Sequence, residues 1–226
     1  VSDIFQEVEE DIRRERWESI WKRYGHYIIA AAAAVILGVA AYKAWTAYDL
    51  SQRQQASDRF RTAEAFAATG QVEKAQTEFA ALAKDAPEGY SALAKFRLAG
   101  IFQNTNKRAD AVALLRDLSN GSDPILTDAA KIRLAWMLAE SAPRGEVDAL
   151  LAPLKTPDHP WRANADEISA YLDLQAGNRL AAIDAYERLA KDTAAPETMR
   201  QRSGAIAQHL KANPQGLPAS QETKPQ

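Results

Sequence analysis

One spacing governs the chain between residues 63 and 189. Ala75, Ala111, Val147 and Ala182 stand 36, 36 and 35 residues apart, each closing a turn and helix start (GQVEKA, NKRADA, APRGEV, GNRLAA). Four residues beyond each lies a bulky apolar side chain: Phe79, Leu115, Leu151 and Tyr186. Three further on lies a leucine: Leu82, Leu118, Leu154 and Leu189. Twelve residues before each small residue stands an alanine: Ala63, Ala99, Ala135 and Ala170. Self-similarity at such a period marks a stack of supersecondary units. Where two antiparallel helices cross closely only a small side chain fits, which explains the alanine columns. The bulky columns share one face of the second helix and fill the space against the next unit. A single helix pair cannot bury that face, whereas stacked neighbours bury it continuously. Pro87, Pro124, Pro157 and Pro196 are expected to close the units, because proline removes a helix donor and clashes with the preceding turn.

The remaining composition agrees with an all-α chain. Alanine, which costs least in a helix interior, is abundant, and period-2 runs of Val, Ile and Thr are missing. A last helix from about Pro196 to Lys211 is expected to cap the stack. The segment 212–226 has no apolar periodicity and reads as a disordered tail.

Ahead of the repeats lies YIIAAAAAVILGVAAY, sixteen residues without a charge from Tyr27 to Tyr42. As a helix it spans about 24 Å, somewhat less than the roughly 30 Å hydrocarbon layer. Its flanks extend it: Tyr24, Tyr27, Tyr42, Trp45 and Tyr48 are rings of the kind that settle at the two interfaces. Lys43 can lay its stem in lipid and raise its ammonium to the headgroups. A buried core helix is a second reading, but it requires no aromatic girdle. A cleaved signal peptide is a third, with Val39 and Ala41 as its small residues, but 26 structured-looking residues precede the run. The favoured reading is an uncleaved transmembrane helix over 27–48. Arg13, Arg14, Arg16, Lys22 and Arg23 precede it, against Lys43, Arg53 and Arg59 after it. That excess of basic residues places the N-terminus in the cytoplasm.

Residues 1–26 read as an amphipathic helix. Asp3 and Gln6 form a candidate capping box. Ile4, Val8 and Ile12, then Trp17, Ile20, Trp21 and Tyr24, follow at helical spacing. This stripe either lies on the cytoplasmic membrane surface or a partner, or simply continues the membrane helix into solvent.

Several chemistries find no support. The formal net charge is −2 and no basic stripe with interleaved aromatics occurs, which argues against nucleic acid. Cysteine is absent, so disulfides and thiolate metal sites are excluded. His26, His159 and His209 are isolated from metal-ligand spacing, and His159 in TPDHPW reads as an exposed loop residue. No nucleophile elbow, dinucleotide or phosphate-loop pattern is found. The chain is therefore expected to be no enzyme and to use no cofactor, metal or small-molecule substrate. The 49–211 segment is expected to bind protein.

Gly70, Ala75, Phe79, Leu82 and Pro87 resemble the second-helix pattern of a tetratricopeptide repeat, as do Gly177, Ala182, Tyr186 and Leu189. Ala63 with Phe66, and Ala99 with Phe102, resemble its first helix. Unit three departs from the pattern at Val147 and lacks the turn glycine, and unit four has Asp173 where an aromatic is usual. The resemblance implies a groove lined by the first helices. Its positions map to Phe60, Glu64, Leu93, Phe96 and Gln103, then Ile132, Trp136 and Glu140, then Glu167, Tyr171 and Gln175. Packing between repeats is the expectation for Leu93 and Ile132. Trp136 is open to either role, and with Tyr171 offers an aromatic anchor with a polar edge.

A charged start, an anchor carrying VILGVAAYKAW, the helix SQRQQASDRFRTAEAF and about four degenerate repeats together resemble the YfgM-like family, over roughly residues 17–210. That resemblance implies a single-pass protein of the bacterial inner membrane, its repeat domain in the periplasm. It further implies an ancillary subunit of the Sec translocon, with translocon subunits, a periplasmic chaperone and exported polypeptides as partners. A scaffold for envelope or division machinery is the alternative from a different class.

Overall fold

A computed structural model describes the backbone of residues 2–213 and the side chains of residues 21–213. The tail from residue 214 onward lies outside the described residues. So do the side chains of the expected capping box, Asp3 and Gln6, and of the stripe from Ile4 to Ile20. The regular structure among the described residues is helical throughout. The helices are α1 (Ser2–Ala68), α2 (Val72–Asp85), α3 (Glu88–Asn104), α4 (Arg108–Leu118), α5 (Pro124–Leu138), α6 (Arg144–Leu151), α7 (Arg162–Gln175), α8 (Arg179–Lys191) and α9 (Glu197–Ala212). A short 3-10 turn, Ala152–Leu154, extends α6. The chain divides into two compact units between Gln55 and Ala56.

In the first unit the apolar run is part of α1, whose backbone is continuous helix from Ser2. Its side chains are bare: Ile29, Val35, Ile36 and Leu37 are all exposed, as are the flanking Tyr27, Tyr42 and Trp45. By length and composition this stretch is a candidate membrane span, and none of its apolar window is buried. Covering such a surface requires a solvent other than water or a partner.

In the second unit helices pair in sequence order. The end of α1 packs on α2 through Ala56, Ala63, Ala75, Phe79 and Leu82. The pairs α3/α4, α5/α6 and α7/α8 follow, α2 contacts α3, α4 contacts α5, and α9 packs on α8. Successive first helices also touch, α3 with α5 and α5 with α7. All sixteen column residues, from Ala63 to Leu189, are buried, and each small column is fully so. The periodicity of the sequence is thus the periodicity of the core.

Local chemistry sets the turns. In units one, two and four the residue five before the small column adopts a left-handed conformation: Gly70 (φ +76°), Asn106 (φ +60°) and Gly177 (φ +79°). The next amide then reaches back to close the helix end: Gln71 N–H to Phe66, Lys107 N–H to Phe102 and Asn178 N–H to Asp173. Glycine takes that conformation without steric cost, and asparagine tolerates it. Unit three has Ala142 at this position and turns differently, with the Ser141 and Ala142 amides both bonded to Leu138.

The prolines open helices more than they close units. Pro87 and Pro196 are extended N-cap residues of α3 and α9, and Pro124 is the first residue of α5, where a missing N–H costs nothing. Asp123 caps α5, its Oδ1 accepting from the Ile125 and Leu126 amides at 2.9 and 3.2 Å.

His159 is not an exposed loop residue. Its side chain is 20% exposed, Nδ1 accepts the Trp161 N–H at 3.1 Å and Nε2 faces Asp128 Oδ2 at 3.2 Å. Lys131 Nζ reaches the other Asp128 oxygen at 3.2 Å. The ring therefore pins the 155–161 loop to α5. Adjacency in space, not in sequence, supplies its acidic partner.

Candidate functional site

Successive first helices meet at α3–α5 and α5–α7, and side chains also join α1 to α3 and α7 to α9. At the first junction Phe60 is half-buried, its ring 5.3 Å from Phe79 edge-on and 6.2 Å from Tyr90. Glu64 Oε1 is buried with Arg97 Nε 2.6 Å away, in a direction that makes an ion pair but no aligned hydrogen bond. Leu93, expected to pack between repeats, is 38% exposed instead.

At the second junction Arg133 of α5 crosses to α3. Its guanidinium lies 5.2 Å from the Phe96 ring centroid and donates to Gln103 Oε1 from Nε at 3.2 Å and Nη2 at 3.0 Å. Gly100 makes the crossing possible, since a Cβ there would stand 2.9 Å from Arg133 Nη2. Burial, and then the neighbouring Arg97 charge, lower the Arg133 pKa.

The third junction holds Trp136 and Tyr171, with ring centroids 5.6 Å apart and inclined at 51°. Trp136 remains 40% exposed, while Ile132 on the same helix is buried. The Tyr171 hydroxyl donates to Glu140 Oε1 at 2.9 Å and accepts from Gln175 Nε2 at 2.5 Å. Burial first, and the bond to Glu140 second, raise the Tyr171 pKa. At the fourth junction Glu167 is buried and answered by Arg202 of α9, whose Nε and Nη2 each donate at 2.8 Å. Of the mapped positions, Phe60 and Glu64 therefore occur at the first junction, Phe96 and Gln103 at the second, and Trp136, Glu140, Tyr171 and Gln175 together at the third.

The sequence reading missed the cations Arg97, Arg133 and Arg202. It also missed a column on the second helices: Arg108, Arg144 and Arg179, each three residues before the small column. Arg108 donates to the Met137 carbonyl, Arg144 Nη1 reaches Asp173 Oδ1 at 2.7 Å, and Arg179 donates to the Leu210 and Asn213 carbonyls. Each arginine ties the start of a second helix to the next first helix, twice at its C-terminal end, where a positive charge is favoured. Their 36- and 35-residue spacing is the detectable signal.

A polar cleft of about 460 Å³ opens elsewhere, among α6, α7 and α8. Arg144 and Arg162 line it, already answered by Asp173 and by Asp192 at 2.5 Å. The Asp173 bond chiefly holds Arg144 above its ordinary pKa. Burial opposes ionisation of Asp192, but its bonds to Arg162 and the local amides prevail and lower its pKa. Among the described residues no three His, Cys, Asp or Glu side chains converge on a metal position.

Stacked helix pairs with small-residue crossings and a face of aromatic and charged side chains define a helical-repeat protein-interaction module. The chain belongs to the tetratricopeptide repeat-like domain family, whose model matches residues 18–211. Domains of this family are typically non-catalytic binding modules for protein partners. Neither a curated protein nor a solved structure gives a significant match.

Proposed function

We propose that this chain is an inner-membrane-anchored periplasmic binding module, acting as an ancillary subunit of the Sec translocon that assists exported proteins through chaperone contacts. The carrying observation is one chain with an uncovered apolar helix and a repeat face bearing an exposed Trp136 against Tyr171. The span is taken as 27–48, the binding domain as 49–211, and residues 1–26 as its cytoplasmic start. Tethering raises the effective concentration of the face at the membrane exit. The face of Phe60, Glu64, Phe96, Gln103, Trp136, Glu140, Tyr171 and Gln175 then holds a chaperone or an emerging chain reversibly. The resemblance to YfgM-like proteins supports this partner class.

The test places a photo-crosslinking residue at position 93 on the face, and in a second strain at position 73 on α2, in living bacteria. Adducts with translocon subunits, a periplasmic chaperone or exported chains from position 93, and not from 73, are the expected result. Adducts with division or wall-synthesis proteins alone would replace this reading with an envelope scaffold. Adducts from position 73 but not 93 would move the binding surface away from the first helices.

A further inference from the structure

The four junctions between first helices differ in one respect. At the first, Arg97 answers Glu64; at the second, Arg133 answers Gln103; at the fourth, Arg202 answers Glu167. Among the described residues, only the third has no cation supplied. Glu140, exposed and two residues beyond α5, receives the Tyr171 hydroxyl on Oε1 and has no ion pair among the described residues. An unanswered carboxylate therefore stands beside the most exposed aromatic pair of the face.

We propose that this position takes the cation from outside: a partner segment seats an arginine or lysine side chain against Glu140, over Trp136 and Tyr171. The inference rests on the face being the partner surface and adds the chemistry of what enters it. An aromatic face attracts a cation through its ring quadrupole, most strongly for tryptophan. The carboxylate adds charge and hydrogen-bond acceptors, and its remaining oxygen carries no bond among the described residues. The Phe96–Arg133 pair one junction earlier shows the same combination of ring, guanidinium and acceptor made within the chain. Tyr171 fixes the geometry, because its hydroxyl is held between Glu140 and Gln175. A neutral or acidic segment would leave Glu140 desolvated without compensation, which is a penalty as well as a lost attraction.

The full chain, labelled with 5-fluorotryptophan and held in lipid nanodiscs, is titrated with a short peptide of glycine, serine and leucine bearing one central arginine. The same peptide with citrulline, the neutral isostere, is the comparison. Fluorine NMR follows Trp136, its resonance assigned by loss in Trp136→Phe. The arginine peptide is expected to shift that resonance and to bind about tenfold more tightly than the citrulline peptide. Glu140→Gln is expected to remove the arginine preference, Glu140→Asp to keep most of it, and Glu73→Gln on α2 to leave it unchanged. Equal shifts of Trp136 by both peptides would overturn the cation assignment while leaving the face as a binding surface. No shift of Trp136 at millimolar concentrations of either peptide would also overturn it. In that case crosslinking from position 93 decides separately whether the face binds partners at all.

Discussion

At the scale of single residues, backbone conformation and side-chain ionisation make distinct demands. Gly70 and Gly177 hold φ near +76° and +79° with open space around a would-be Cβ, so alanine there is penalised by conformation alone. Gly70→Ala or Gly177→Ala should destabilise the repeat unit by about 1–2 kcal/mol in chemical denaturation, while Gly89→Ala, also in open space but without positive φ, should not. Tyr186 shows the ionisation side. Burial first, and the Glu167 carboxylate second, push its pKa up to about 12 from an ordinary 10. The folded protein keeps this proton where the unfolded chain has already lost it. Its contribution is therefore intact below pH 10 and is lost as pH rises from 10 to about 12, a loss on the order of 2 kcal/mol. Tyr186→Phe should show a shallower decline in stability over that window than the parent protein. The four columns were legible because burial repeats by residue type: alanine or valine stands at the crossings, and large apolar side chains fill the gaps. Arg97 and Arg133 keep the 36-residue spacing, but Ile168 stands at the next place and Arg202 falls off it, so two positions alone made no readable column.

Whole elements were legible to differing degrees. The last helix, expected from about Pro196 to Lys211, runs Glu197–Ala212 with Pro196 as its cap. Unit three was harder. Its second helix α6 has eight residues, a 3-10 turn completes it, and its entry lacks the left-handed residue of the other units. Val147, Leu151 and Leu154 are nevertheless fully buried, so the columns survive an altered turn. The arginine column binds such elements together. Arg179 is the side chain that holds the C-terminal carbonyls of α9 to the start of α8. Arg179→Ala should lower stability by about 1 kcal/mol. Hydrogen exchange should quicken in the last turn of α9 and leave α3 unaffected.

For the molecule as a whole, the core is not one body of side chains but a succession. One cluster joins α1, α2 and α3, a second reaches from α3 to α7, and a third joins α7, α8 and α9. Stability of such a stack is approximately a sum over units and their neighbours. Leu210→Ala, removing a fully buried side chain of α9, should cost about 2–5 kcal/mol locally. Exchange protection should fall around Tyr186 and Met199 while persisting around Phe79 and Leu82. Loss of protection throughout would mean that the repeats unfold as one. The fold class followed from the sequence, since the repeat register carries residue positions with it. Which of the first-helix side chains are satisfied within the chain depends on pairings between units, which the register does not carry. The shortness of α6 has a mechanical corollary. Load applied to a serial stack passes undiminished through every junction, so its tensile limit is set by the weakest seam. If a bound chain is pulled while the apolar helix holds fast, the eight-residue α6 is where the array would yield first.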